Sequence, residues 1–218
     1  MLKIMYSLLL CLSVSLAAQA GARGHTYQVD ITNLTPGQAF TPQLVYTHRR
    51  ANPLFTLGEA ASDELAQLAE GGDTAPLSAL ADGFADAVTT NGVLLMPGET
   101  TSITIQSNPG RGLLTVVAML LPTNDTFFAL NGVNLPRRGT KSFLAPGYDA
   151  GSEYNDQDCA NIPGPLCGGE GYSAEVSELD EGYVHIGNGF HDLGDDVLKP
   201  QRYDWNNNVA KITVTKIR

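Results

Sequence analysis

Four acidic residues, Asp149, Glu153, Asp156 and Asp158, fall within ten positions beside Gly147 and Gly151, and Asp125 closes the turn Pro122-Thr123-Asn124-Asp125 after a long apolar run. Carboxylates at this density, with Asn155 among them, can supply the six to eight oxygen ligands that a hard cation such as calcium takes. Solvated loop carboxylates would show the same spacing, so both readings stand at this point. A contiguous calcium loop is excluded. With Asp149 at position one, the glycine needed at position six is Tyr154, and the glutamate needed at position twelve is Ala160. Any ligands must therefore converge from separate loops.

Hydrolytic signatures are missing. Gly171-Tyr172-Ser173-Ala174-Glu175 lacks the second glycine of a nucleophile elbow, and no H-E-x-x-H occurs. His185 and His191, six apart around Gly187-Asn188-Gly189, lack evident orienting partners and read as hydrogen-bonded structural histidines. The alternative from another class is a carbohydrate-active hydrolase, with Asp125 paired to Asp149 or Glu153 across a glycosidic bond. Against it stands Trp205, the single tryptophan, where a sugar platform calls for more aromatic surface.

The elements that must position these groups are mostly strands. Tyr27, Val29 and Ile31 alternate with Gln28, Asp30 and Thr32; Ile103 and Ile105 mark a second strand, and Ile212 and Val214, with Ile217, a last one. The run 113–121 is apolar almost throughout and predicts a strand buried on both faces. Two short helices interrupt the pattern. One begins at an N-cap Ser62 with Asp63 and Glu64 in its first turn and stops at Gly71-Gly72; the other begins at Thr74 and Pro76. From Leu135 to Gly182 the chain turns rich in Gly, Pro, Asp, Asn and Glu, the composition of a long functional connection. The expected fold is all-β with minor α: an antiparallel β-sandwich with two short helices and long end loops, one domain over residues 25–217.

Residues 1–20 have the anatomy of a signal peptide: Lys3, an apolar stretch, then Ala18-Gln19-Ala20 as the cleavage site. Cys11 lies in the middle of the apolar stretch and reads as filler. That stretch falls short of the roughly 20 residues that span a bilayer, so the expectation is a secreted or periplasmic chain with no transmembrane segment. Cys159 and Cys167 would then face an oxidising compartment, enclosing Pro163-Gly164-Pro165, and are read as a disulfide. The formal charge of −10 repels nucleic acid phosphates and anionic lipid unless a local basic patch or a bound cation reverses the sign. Nucleic acid is accordingly not expected as a partner.

Several motifs carry a family resemblance. Residues 27–38, 55–61, Pro122-Thr123-Asn124-Asp125, Tyr148-Asp149-Ala150-Gly151-Ser152-Glu153, Gly182-Tyr183-Val184-His185-Ile186 with the following Asn188-Gly189-Phe190-His191, and the closing Asp204-Trp205-Asn206 resemble bacterial spondin-domain proteins. The resemblance implies a β-sandwich similar to calcium-dependent membrane-targeting domains, and a calcium ion held by Asp125, Asp149 and Glu153, with Asn155 and Asp156 as possible additions. Glu153 stands where the family has aspartate, which keeps the charge and lengthens the side chain. The implied function is a calcium-binding, non-catalytic adhesion or interaction module, with an extracellular or cell-surface protein or glycan as its partner.

Overall fold

A computed structural model describes residues 24–49, 52–194 and 197–218; the expected signal peptide lies outside the described residues. The elements run β1 (His25–Asn33), β2 (Ala39–Phe40), β3 (Leu44–His48), α1 (Asp63–Gly71), α2 (Ala75–Asp82), β4 (Ala87–Thr90) and β5 (Thr100–Ser107). They continue with β6 (Leu113–Leu121), β7 (Thr126–Asn134), β8 (Thr140–Asp149), β9 (His185–Ile186), α3 (Pro200–Tyr203) and β10 (Asn208–Lys216). The fold is all-β with minor α, and every strand pairing is antiparallel.

The strands form one sheet in the order β4-β3-β6-β7-β8-β10-β1-β5, with β2 beside β6 and β9 beside β8. The sheet curls until its two end strands nearly meet. Thr47 of β3 donates its hydroxyl to the Gln106 carbonyl of β5 at 2.5 Å, and Asp86, just before β4, accepts from the Asn108 amide at 2.9 Å. Curling encloses one core, in which Val29 and Ile31 of β1, Ile103 and Ile105 of β5, and Ile212 and Val214 of β10 pack with alternate residues of β6 and with Phe128. Burying alternate residues of one sheet against each other in this way removes apolar surface from water without leaving ladder groups unpaired.

β6 is buried on both faces, as its unbroken apolar run predicts. Leu114, Val116, Ala118 and Leu120 enter the enclosed core. Val117 faces the other way, joining Leu44, Tyr46 and Phe127 under Leu65, Leu68 and Leu77 of α1 and α2. The Ser62 hydroxyl caps α1 by accepting from the Leu65 amide at 3.3 Å, and Gly72 closes it at φ 69°. Thr74 makes no such cap; Asp73 accepts from the Ala75 amide instead, at 2.8 Å.

The segment 135–182, read as one irregular connection, contains β8, the longest strand described. Its Gly147 and Pro146 obscure the pattern, and its pairing with β10 supplies what propensity does not. Thr140 meets Thr215 and Ser142 meets Thr213, each through hydroxyls 3.0 Å apart. The irregular stretch therefore begins at residue 150. Cys159 and Cys167 within it are joined by a disulfide. Among the described residues no helix is long and apolar enough to cross a membrane.

Candidate metal centre

Strand ends deliver the acidic groups. Asp125 immediately precedes β7, Asp149 ends β8 and faces Thr126 across the ladder, and β9 sets His185 directly opposite Asp149. Glu181 lies four residues before His185. The segment 150–184 is tied down by its backbone: the Gly182 amide donates to the Gly151 carbonyl at 2.8 Å, and the Val184 amide to the Glu59 carbonyl at 2.8 Å.

One carboxylate oxygen each from Asp149 and Glu181 and one ring nitrogen of His185 lie within 4.8 Å of one another. A single ion with bonds of about 2.0–2.6 Å spans such a gap. The hydrogen bonds aim these groups. Asn155 donates its side-chain amide to Asp149 Oδ2 at 2.8 Å and to Glu181 Oε1 at 3.1 Å, holding the two carboxylates side by side. The Gly151 amide donates to Asp149 Oδ1 at 2.8 Å. His185 Nδ1 sits 3.0 Å from the Ile186 carbonyl, which can only accept, so Nδ1 carries a proton and a lone pair free to bind a cation would be that of Nε2.

Nε2 has no hydrogen-bond partner, and neither does Glu181 Oε2; both atoms are buried. Nε2 stands 3.3 Å from Asp149 Oδ1. A lone pair and a carboxylate oxygen at this distance repel unless a positive charge joins them, either a second ring proton or a cation. Asp149, Asn155 and Glu181 line a cavity of about 180 Å³ with His191 on its wall, which gives a small ion access.

The other residues expected at the site divide between two places. Asp125 is fully buried, and its Oδ2 accepts from the amides of Ser152 at 2.9 Å and Glu153 at 3.2 Å, so it shapes the loop that follows β8. Its Oδ1 has no partner. Burial first, and then the nearby charge of Asp149, hold its carboxyl well above the usual range. Asp149 is raised as well, chiefly by burial. Asp156 is consumed by the loop: it accepts from the Asp158 amide at 2.8 Å and the Asn161 side chain at 2.7 Å. Asn155 bridges the Asp149 and Glu181 carboxylates through its side-chain NH2.

Glu153 points elsewhere. Its backbone touches Asp125, but the charges acting on its carboxyl are those of Glu70, Asp156, Asp180 and Glu170, the last three lining a separate acidic groove with it. Burial and that repulsion push it up to about 8.

Sequence reasoning assigned no role to Glu181 and read His185 as structural. Glu181 is one of many carboxylates in its loop, and the pairing of Asp149 with His185 exists only once β9 joins β8. The one available signal was the resemblance motif itself, which includes His185. No protein-family model matches the chain and no curated protein matches it, so fold and site geometry carry the functional reading.

Proposed function

We propose that this chain is an extracytoplasmic, non-catalytic interaction module of spondin type, whose end loops are ordered by a divalent cation held at Asp149, Glu181 and His185. The observation that carries this reading is that Asp149, Glu181 and His185 each bring a ligand atom within 4.8 Å of the others, while Glu181 Oε2 and His185 Nε2 are buried without a hydrogen-bond partner. Leaving such groups unsatisfied costs about 1–3 kcal/mol each, and a cation relieves both. The disulfide supports an oxidising compartment.

The donor set decides between ions. Calcium takes oxygen ligands, which Asp149 and Glu181 offer, with the unpartnered Asp125 Oδ1 beside them; imidazole nitrogen suits zinc or nickel. The lone pair of His185 favours the second kind, and the unpartnered Asp125 Oδ1 supports the first. After EDTA treatment, zinc, nickel and calcium are added separately and unfolding is followed. An ion at a hundredfold excess over its Kd stabilises by about 2.7 kcal/mol. Asp149→Asn should remove the increment for every ion, whereas His185→Ala should remove that of zinc or nickel and spare that of calcium. Absence of a shift with all three ions sinks the proposal.

The hydrolase alternative draws on Glu153, a carboxyl protonated near neutral pH as a general acid must be. Its groove offers Tyr154 but no tryptophan, because Trp205 is only 9 % exposed and packs against Phe190. No turnover of glycosides is expected. Hydrolysis abolished by Glu153→Gln would replace the module reading with the enzyme.

A further inference from the structure

At the far end of the strands the charge reverses. Segments 100–124, 126–148 and 205–218 contain no acidic residue, although the chain as a whole carries −10. Within them Arg111, Arg137, Arg138, Lys141, Lys216 and Arg218 sit at or beside the ends of β5, β7 and β10 and the starts of β6 and β8. Asp125 and Asp149 lie at the opposite ends of β7 and β8. Strands of nine and ten residues separate the two poles by about 30 Å.

The basic pole is a groove of about 660 Å³, lined by Arg111, Arg137 and Lys216 with Tyr27, Leu135 and Pro136. Its walls are held by the backbone. The Leu135 amide donates to the Gly112 carbonyl at 3.0 Å, and the Lys216 amide to the Gly139 carbonyl at 2.9 Å. Gly112 allows the first of these contacts, since a Cβ there would lie 2.7 Å from Leu135 Cδ1. Among the described residues Arg111, Arg137 and Lys216 have no carboxylate within 4.0 Å; the one found beside an arginine or lysine is Asp86, next to Arg49. Three cations held around one groove and unneutralised by the protein leave their charge available to an anion.

We infer that this groove binds a strand of acidic polysaccharide, gripped through its carboxylate or sulfate groups. Two guanidinium forks match such oxyanions in paired hydrogen bonds. The concave shape suits a strand better than a membrane plane. Tyr27, Leu135 and Pro136, which line the groove, are buried rather than projecting as anchors. A plane of anionic lipid would also bring more of the acidic molecule within the roughly 10 Å over which charges act at moderate salt. Single-stranded nucleic acid needs exposed aromatic platforms for its bases, and Tyr27 is 3 % exposed. This inference stands apart from the metal centre and does not rest on it.

The test uses the exported chain in low salt with dextran sulfate, hyaluronate and neutral dextran. Retention by dextran sulfate, hyaluronate or both, but not by neutral dextran, is expected, and the two charged arms separate sulfate from carboxylate recognition. Binding should weaken as salt rises and should fall at least about tenfold in Arg111→Ser/Arg137→Ser, in keeping with the loss of two charge-assisted contacts. It should persist in EDTA and in Lys211→Ser, an exposed lysine in the middle of β10 outside the groove. Failure to bind either charged polymer overturns the inference. So does undiminished binding by the double variant, an equal loss in Lys211→Ser, or tighter binding to phosphatidylglycerol vesicles or single-stranded DNA.

Discussion

Gly151→Ala is expected to abolish divalent-metal binding and to destabilise the chain by about 3 kcal/mol, the sum of a left-handed residue's strain and an overpacked contact. Gly151 has φ 64°, and a Cβ there would overlap the carbonyl oxygen of Tyr183 and come within 2.8 Å of its amide nitrogen. Backbone cannot yield as a side chain tip can. The loop carrying Glu181 would have to move away from the end of β8, breaking the bond from the Gly182 amide to the Gly151 carbonyl and separating Asp149 from Glu181. Gly139→Ala is the control. Gly139 has a similar φ of 65° but open space around its missing Cβ, so the change should cost only about 1–2 kcal/mol of strain and leave metal binding intact. Urea denaturation in EDTA reads the stability, and metal titration of each variant reads the site. Parent-like affinity in Gly151→Ala would mean that the two loops do not build the centre together.

The second large effect is a fall in stability as pH rises in the absence of metal. Asp125, Asp149, Glu153 and Glu70 all have their carboxyls raised, in each case chiefly by burial. In the fold they keep protons that the unfolded chain has already released, so the native state binds more protons and stability decreases with pH. The stabilisation is fully present below the ordinary carboxylate range and is lost as pH climbs through the folded values, which for Glu153 means about 8. Each net proton of difference gives a slope of about −1.4 kcal/mol per pH unit. Denaturation of EDTA-treated protein from pH 5 to 8.5 should show this decline, and Glu153→Gln should flatten its upper part. The gain from that substitution should be only ~1 kcal/mol, because Glu153 is half-buried and solvent screens part of its repulsion. A saturating divalent ion should cancel or reverse the slope, since it binds ligands that have lost their protons. Stability that rises across this range without metal would contradict the carboxylate environments.

Much of the fold was legible because local pattern and burial agree there. Tyr27, Val29 and Ile31 alternate in sequence and in the structure, the run through β6 is buried on both sides, and Ser62 and Gly72 bound α1 as their residue types require. β8 was not legible. Its Pro146 and Gly147 look like loop, and only pairing with β10 and β7 makes the segment a strand. The curling of the sheet until β5 meets β3 is likewise invisible in any one strand, because it is the cumulative result of twist and of burying two faces against each other.

The site divides along the same line. Composition and spacing by themselves determined that carboxylates gather around residues 149–158 and that no contiguous ion-binding loop exists, since these depend on residue type and order alone; the place of Asp125 beside them came from the family resemblance. Tertiary structure alone decided which of them meet. It turned Glu153 toward Glu70 and Asp180 and spent Asp156 on its own loop. It also brought Glu181 and His185 to Asp149 by adding β9 to the edge of β8. The reason is physical: ligand atoms must converge within a few ångströms, and a separation of 36 residues between Asp149 and His185 encodes no distance until the backbone ladder between them has formed.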